Sequence, residues 1–226
     1  MPWLRYVEKV LRADVFVVLD DVQFNKSGWQ NRNKVKGPRG WYYLTVPVRQ
    51  RLGQRLDEVE IDHARDWRKK HVSSLKASYG RAPHYARVFP RIEAVYAAED
   101  WRFLNDFNWA LLTVILELVG LAKPVLRSSA LGLEGEATDR LIDLCRKLGA
   151  DTYLSGAYAA TPYLDVASLA AAGVEVGFQS WTAPTYDQVH PAAGFVPDLA
   201  VIDLLMATGS EARDMLLSAG GLTVTP

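Results

Sequence analysis

The sequence predicts an α/β fold, a Rossmann-like mixed or parallel sheet flanked by helices, on three observations. Val15-Phe16-Val17-Val18-Leu19 is a short β-branched and aromatic run that ends in Asp20-Asp21, the pattern of a strand buried on both faces. Residues 136–148 carry apolar side chains at helical spacing, with Gly149 as a stop. Residues 152–178 read as strand, turn, helix and strand, the order of a βαβ unit.

The remaining elements follow in chain order. Trp3, Leu4, Val7, Val10 and Leu11 recur at helical spacing and predict an amphipathic helix over about residues 3–13. After the first strand, the polar Asn25–Gly40 segment reads as a loop, with Gly28, Gly37, Pro38 and Gly40 as turn signals. Trp41–Val48 predicts a strand, which Pro47 confines to an edge or a strand end. A mostly helical middle section spans about residues 66–121. There Asp66 caps one helix, Pro83 opens another, and Phe103–Leu121 forms a long apolar third. Pro124–Arg127 predicts a brief strand leading into Ser128-Ser129, and two helices, over about 199–208 and 210–218, close the chain. No internal repeat is apparent, and one domain over residues 1–226 is expected.

Composition excludes several classes. With 226 residues, 49% of them hydrophobic, and 24 aromatics, the chain is not a disordered polymer. The single cysteine, Cys145, excludes an intramolecular disulfide framework and any zinc site built from several thiolates, and it favours a reducing compartment. The most apolar stretch, residues 110–122, is too short to cross a bilayer and contains Glu117. The first residues lack the order of a secretory signal, so a cytoplasmic location without membrane insertion is expected. The formal net charge of zero hides two unequal parts. Residues 1–127 hold 22 basic and 14 acidic side chains, and residues 128–226 hold 4 and 12. No acidic residue occurs from Val22 to Leu56, where Lys26, Arg32, Lys34, Lys36, Arg39, Arg49, Arg51 and Arg55 lie. This run reads either as a solvated basic face or as the anion-facing wall of a site.

The chemistry concentrates after the first strand. Asp20, Asp21, Gln23, Lys26, Trp29, Asn31, Arg32 and Asn33 combine acid–base groups, bidentate amides and cations suited to phosphate or carboxylate. Carboxyl ends of strands are where α/β sheets place ligands. The competing reading is an Asx turn in a solvated loop. Ser155-Gly156, between strand and helix, offers backbone N–H groups to an anion or is simply a tight turn. His71 lies one helical turn from Trp67 and Leu75, which suits a half-buried packing position as well as a catalytic one. No HxH, HExxH, Walker A or GxGxxG pattern occurs, so neither a metal site nor a cofactor is evident. Cys145 lies on an apolar helix stripe and reads as a packing residue rather than a nucleophile. With no RNA- or DNA-binding signature and no net charge, nucleic acid is not an expected partner.

Leu19-Asp20-Asp21-Val22-Gln23-Phe24-x-Lys26-x-x-Trp29-x-Asn31-Arg32-Asn33-Lys34-Val35-Lys36 resembles the WbqC-like family of bacterial proteins. The likeness continues through Leu44–Val48, Trp67-x-x-x-His71, Ala82-Pro83, Asp139–Gly156, Tyr163-Leu164-Asp165, Tyr186-x-Gln188 and Pro197-x-Leu199-x-x-Ile202-Asp203-Leu204-Leu205. Members usually begin with a strand and a Gln-Pro-x-Tyr-x-Pro-Trp-like segment, whereas this chain opens inside that segment at Met1-Pro2-Trp3-Leu4. The resemblance therefore implies that the first family strand is missing and that Met1 is an internal methionine of a longer reading frame. It also implies a role in gene clusters for surface polysaccharides, such as O-antigen, or for specialised metabolites.

Acyl or aminoacyl transfer to an amine of a sugar nucleotide or related acceptor is the leading expectation. In it Asp20, Asp21 and His71 are catalytic, while Gln23, Lys26, Trp29, Asn31, Arg32, Asn33, Ser155, Gly156, Tyr163 and Gln188 hold an anionic or carrier-bound substrate. The alternatives are a non-catalytic scaffold for an acidic carrier protein and a nucleotidyltransferase-like enzyme. The last rests on fold analogy alone.

Overall fold

The computed structural model describes residues 1–25, 28–98, 101–156 and 164–225. It is a mixed α/β fold whose strands fall into small sheets. Helix α1 (Leu4–Arg12) buries Leu4, Val7, Val10 and Leu11, as its periodicity predicts. Glu8 is buried on the same helix and accepts from Arg12 Nε at 2.5 Å and from Gln179 Nε2.

Strand β1 (Phe16–Val18) follows. The sequence predicts burial on both faces, yet Val17 and Val18 are half-buried and Val15 is 42% exposed. Among the described residues β1 pairs with one strand, so its other edge receives no ladder.

The expected loop after β1 contains a strand, β2 (Arg32–Gly37), paired antiparallel with β3 (Gly40–Thr45). Loop-like composition conceals a period-2 alternation there. Asn33, Val35 and Leu44 turn inward, while Arg32, Lys34, Trp41 and Tyr43 stay at the surface. Pro47 separates β3 from β4 (Val48–Arg49), which pairs with β5 (Glu60–Ile61).

The helical middle forms as expected. It comprises α2 (Trp67–Tyr79), α3 (Tyr85–Ala97) and α4 (Leu104–Leu118). Asp66 caps α2 by accepting from the Lys69 amide at 3.2 Å. Strand β6 (Val125–Arg127) then lies parallel to β1, with Phe16 opposite Val125 and Val18 opposite Arg127. Helix α5 (Ala137–Leu148) stops at Gly149, whose φ of 63° is left-handed. Strands β7 (Thr152–Ser155) and β8 (Glu175–Trp181) are parallel, with α6 (Val166–Ala171) between them in sequence, which bears out the βαβ reading.

Helices α7 (Val201–Thr208) and α8 (Ala212–Ala219) follow, and β9 (Gly220–Thr225), which the sequence does not signal, adds antiparallel to β8. The large core gathers residues from α1, the hairpin, α2–α4, α7 and α8, and a smaller one collects Cys145, Leu169, Val174 and Val176. No described helix is long and apolar enough to cross a membrane.

Gly209 ends α7 with φ 60° and ψ −118°, a conformation that side chains resist. A Cβ there would meet the His84 ring at 2.5 Å, where the His84 amide bonds the Met206 carbonyl at 3.0 Å. Gly209→Ala is expected to lower unfolding free energy by about 2 kcal/mol or more, read by urea titration.

Candidate functional site

The parallel pairing of β1 with β6 places two dipeptides side by side at the carboxyl ends of the strands. Asp20-Asp21 follows β1 and Ser128-Ser129 follows β6. Asp20 is 1% exposed and spent on structure. Its Oδ1 accepts from the Ser129 amide at 2.9 Å and shares with Asp21 the single Ser128 hydroxyl proton, Oγ lying 3.1 Å away. Its Oδ2 accepts from Ser129 Oγ at 2.8 Å and from Asn105 Nδ2 at 3.1 Å. Burial raises the Asp20 pKa, but the Ser129, Asn105 and Ser128 donors outweigh burial and hold it below the ordinary aspartate value. A carboxylate bonded in this way stays ionised and has little capacity left to take a proton from a substrate.

Asp21 is placed differently. Its Oδ1 accepts from Ser128 Oγ at 2.5 Å and its Oδ2 from Arg140 Nη2 at 2.5 Å, and its side chain keeps 11% exposure. Arg140 is itself steadied by the Leu133 carbonyl at 3.0 Å. The chain after Asp21 pairs with residues 54–56: Phe24 N–H donates to the Gln54 carbonyl, Leu56 N–H donates to the Val22 carbonyl, and Gln23 and Arg55 form a bridge. Arg55 is thereby brought close enough to Asp21 to feel its charge. Arg127, the last residue of β6, sits over the Trp109 ring at 4.5 Å and faces Asp106 at 3.3 Å. Thus Asp21, partly exposed, stands beside the Ser128 hydroxyl and the Arg140 guanidinium at the strand ends, with the more exposed Asp106 across from Arg127.

The other candidates are distributed elsewhere. His71 lies in the helical core, 4% exposed, with Nε2 3.0 Å from the Thr45 carbonyl and Nδ1 3.2 Å from the Tyr96 hydroxyl. Burial pushes its pKa down to about 4, so it is neutral and fully bonded, a packing residue rather than a partner of the aspartates. Asn31 donates to the Val46 carbonyl, and Asn33 donates to the Met1 carbonyl while accepting from the Lys34 amide. These asparagines brace the hairpin, Asn31 with its Oδ1 buried and unpartnered. Trp29 and Arg32 belong to the hairpin's outer surface.

Ser155 is buried at the end of β7, and Gly156 faces Lys9, whose Nζ lies 4.0 Å from the position of a Gly156 Cβ. Gln188 forms a two-bond clasp with the Val196 backbone. Lys26 and Tyr163 lie outside the described residues. Cys145 is buried, and burial raises its thiol pKa, as expected of a packing cysteine.

The acid-free stretch does not build one wall. Lys36 is fully buried and donates to the Gly194 carbonyl, Arg49 and Arg55 pair with Asp62 and Asp57, and Arg32 and Lys34 lie over aromatic rings. Residue type along the sequence cannot report the Lys36 partner, which lies 158 residues on, whereas Asp57 stands two residues from Arg55. Sequence reasoning also missed Arg140 and the role of the serines. The available signal was symmetry: a second short strand ending in two small polar residues, as the first ends in two aspartates. Among the described residues no group of three or more His, Cys, Asp or Glu could hold a metal ion.

Fold and cluster together define an α/β protein with its polar chemistry at the carboxyl ends of a parallel strand pair. The chain belongs to the WbqC-like protein family, which it matches over residues 1–215. It is 32% identical over 219 residues to a protein of Mycobacterium tuberculosis (strain ATCC 25618 / H37Rv) described as uncharacterized protein Rv1507c, covering 96% of this chain and 93% of that one. No solved structure matches the chain.

Proposed function

We propose that the protein is a biosynthetic enzyme that transfers an acyl or aminoacyl group to an amine of a sugar nucleotide or related small acceptor. The observation that carries this reading is the setting of Asp21. It is the partly exposed carboxylate at the ends of β1 and β6, held by Arg140 and Ser128 beside an Asp20 that is already fully bonded. In this reading Asp21 is the general base. The acceptor nitrogen attacks the activated carbonyl carbon, the N–C bond forms, the bond to the leaving group breaks, and the proton lost from nitrogen passes to Asp21. Arg140 orients the carboxylate, and Arg55 and Arg127, which also face Asp57 and Asp106, add positive charge beside an anionic donor or acceptor.

Asp21→Asn keeps the shape and removes the base. It is expected to reduce transfer by about 100-fold or more. Before a substrate pair is known, thermal shift decides between classes. Sugar nucleotides and acyl thioesters at saturating concentration are expected to raise the Tm of the wild type and to do so less for Arg140→Met, since a ligand at 100 times its Kd stabilises by about 2.7 kcal/mol. If neither class shifts the wild type, the reading fails.

A further inference from the structure

We propose that the outer face of the β2–β3 hairpin is a docking surface for an acidic protein partner. Alternation along the two strands puts Arg32 and Lys34 from β2 beside Trp41 and Tyr43 from β3, with Lys34 opposite Tyr43 in register. Trp29 adjoins them, its ring 6.1 Å from that of Tyr43, and Trp41 and Tyr43 meet edge to face at 5.2 Å. These three rings are 44%, 45% and 37% exposed for Trp29, Trp41 and Tyr43. Isolated exposed aromatics are unremarkable, but three linked through Tyr43 form an apolar patch of the kind that marks interaction sites.

The charge on this face has one sign. Lys34 Nζ lies 4.4 Å from the Trp41 centroid and 5.8 Å from that of Trp29, and Arg32 lies 4.6 Å from that of Tyr43. Lys34 and the exposed Arg39 at the hairpin turn pair with no carboxylate among the described residues. The hairpin itself contains no acidic residue to neutralise it. Complementarity therefore calls for an anionic occupant.

The rings decide which anion. A base or a sugar would stack on an aromatic face, and here Lys34 covers one face of Trp41 and Arg32 one face of Tyr43. Exposed rings interleaved with positive charges remain, which suits apolar side chains flanked by carboxylates. Trp, Tyr and Arg are also the residue types that dominate protein–protein binding energy. An acidic amphipathic helix offers both features at once.

The test uses the full chain and a fluorescein-labelled amphipathic helical peptide of leucine and glutamate, titrated at 50 and 300 mM salt. A 20-residue oligothymidylate and heparin serve as anionic competitors of other classes. Expected are peptide binding that weakens with salt, a loss of at least tenfold for Lys34→Glu and for Trp41→Ala, and retention for Trp41→Phe. Arg87→Glu, the same charge change on α3, is expected to stay within twofold. Circular dichroism and Tm of each variant confirm that loss of binding is not loss of fold, and Lys34→Gln replaces Lys34→Glu if the latter is destabilised. No peptide binding, binding indifferent to Lys34 and Trp41, or tighter binding of oligothymidylate or heparin overturns the proposal. The readout is binding alone, so this outcome is independent of the transfer chemistry assigned to Asp21.

Discussion

Replacing Asp20 with alanine is expected to cost about 3 to 5 kcal/mol of unfolding free energy, the largest effect of any single substitution near the strand ends. The side chain accepts from the Ser129 amide, the Ser129 and Ser128 hydroxyls and Asn105 Nδ2. Removing it strands these donors around a buried space, and each buried donor left unpaired costs about 1 to 3 kcal/mol. Water can reach Ser129, which is exposed, and the Ser128 hydroxyl keeps Asp21 Oδ1 as an acceptor, but Asn105 is buried and has no such relief. Asp20→Asn isolates the acceptor role. It preserves volume yet turns an amide donor towards Asn105 or Ser129, so it is expected to fall between the wild type and Asp20→Ala. Urea titration at pH 7.5 measures all three. Because the folded pKa of Asp20 is depressed, its contribution is complete above the ordinary aspartate value of about 3.9 and is lost as pH falls through the folded value. Asp20→Asn is therefore expected to flatten the acid limb below about pH 4. A variant as stable as the wild type would show that Asp20 does not join the two strand ends.

Acidification from pH 7 towards 4 is expected to destabilise the protein through His71, in a window above the one that Asp20 governs. The imidazole is buried against Trp67 and Tyr96, and burial lowers its pKa from 6.5 to about 4. The sign follows from proton uptake. Between those two values the unfolded chain binds a proton that the folded chain refuses, so stability falls as pH drops from about 6.5 to about 4. A displacement of this size corresponds to about 3 kcal/mol at the bottom of the window. His71→Phe removes the titration and also leaves the Thr45 carbonyl and Tyr96 hydroxyl without a partner, so its stability at pH 7.5 is expected to be lower than that of the wild type. The decisive quantity is the slope. Unfolding free energy of His71→Phe is expected to change less between pH 6.5 and 4.5 than that of the wild type. Equal slopes would mean that His71 takes up its proton in the folded state as readily as in the unfolded one.

The two aspartates show how far adjacent residues of one type can differ in role. Along the sequence they are equivalent carboxylates at a strand end. In three dimensions Asp20 turns into a ring of donors from α4 and the β6 end, whereas Asp21 turns towards α5 and stays partly accessible. The same separation applies to Asn31, Arg32 and Asn33. Strand alternation sends the amide of Asn33 into the core and the guanidinium of Arg32 onto an aromatic face. Residues that look like one binding loop thus serve two surfaces and a core.

Much of the architecture was legible because it depends on local pattern. The periods of α1, α5 and the middle helices, the Asp66 cap, the Gly149 stop and the βαβ order are each written within a few residues of where they act. Strands β2 and β9 were not legible, the first because cations and asparagines mask its alternation, the second because Gly220-Gly221 and an exposed tip resemble a frayed end. The sequence by itself determined the α/β class, the family and the address of the acidic chemistry at the end of β1. Only the tertiary structure decided which aspartate is spent and which is partly accessible, that Arg140 and Ser128 bond Asp21, and that His71 belongs to the core. The physical reason is that accessibility and protonation are set by neighbours more than a hundred residues away, and a side chain's chemistry is decided by the donors and dielectric around it rather than by its place in the chain.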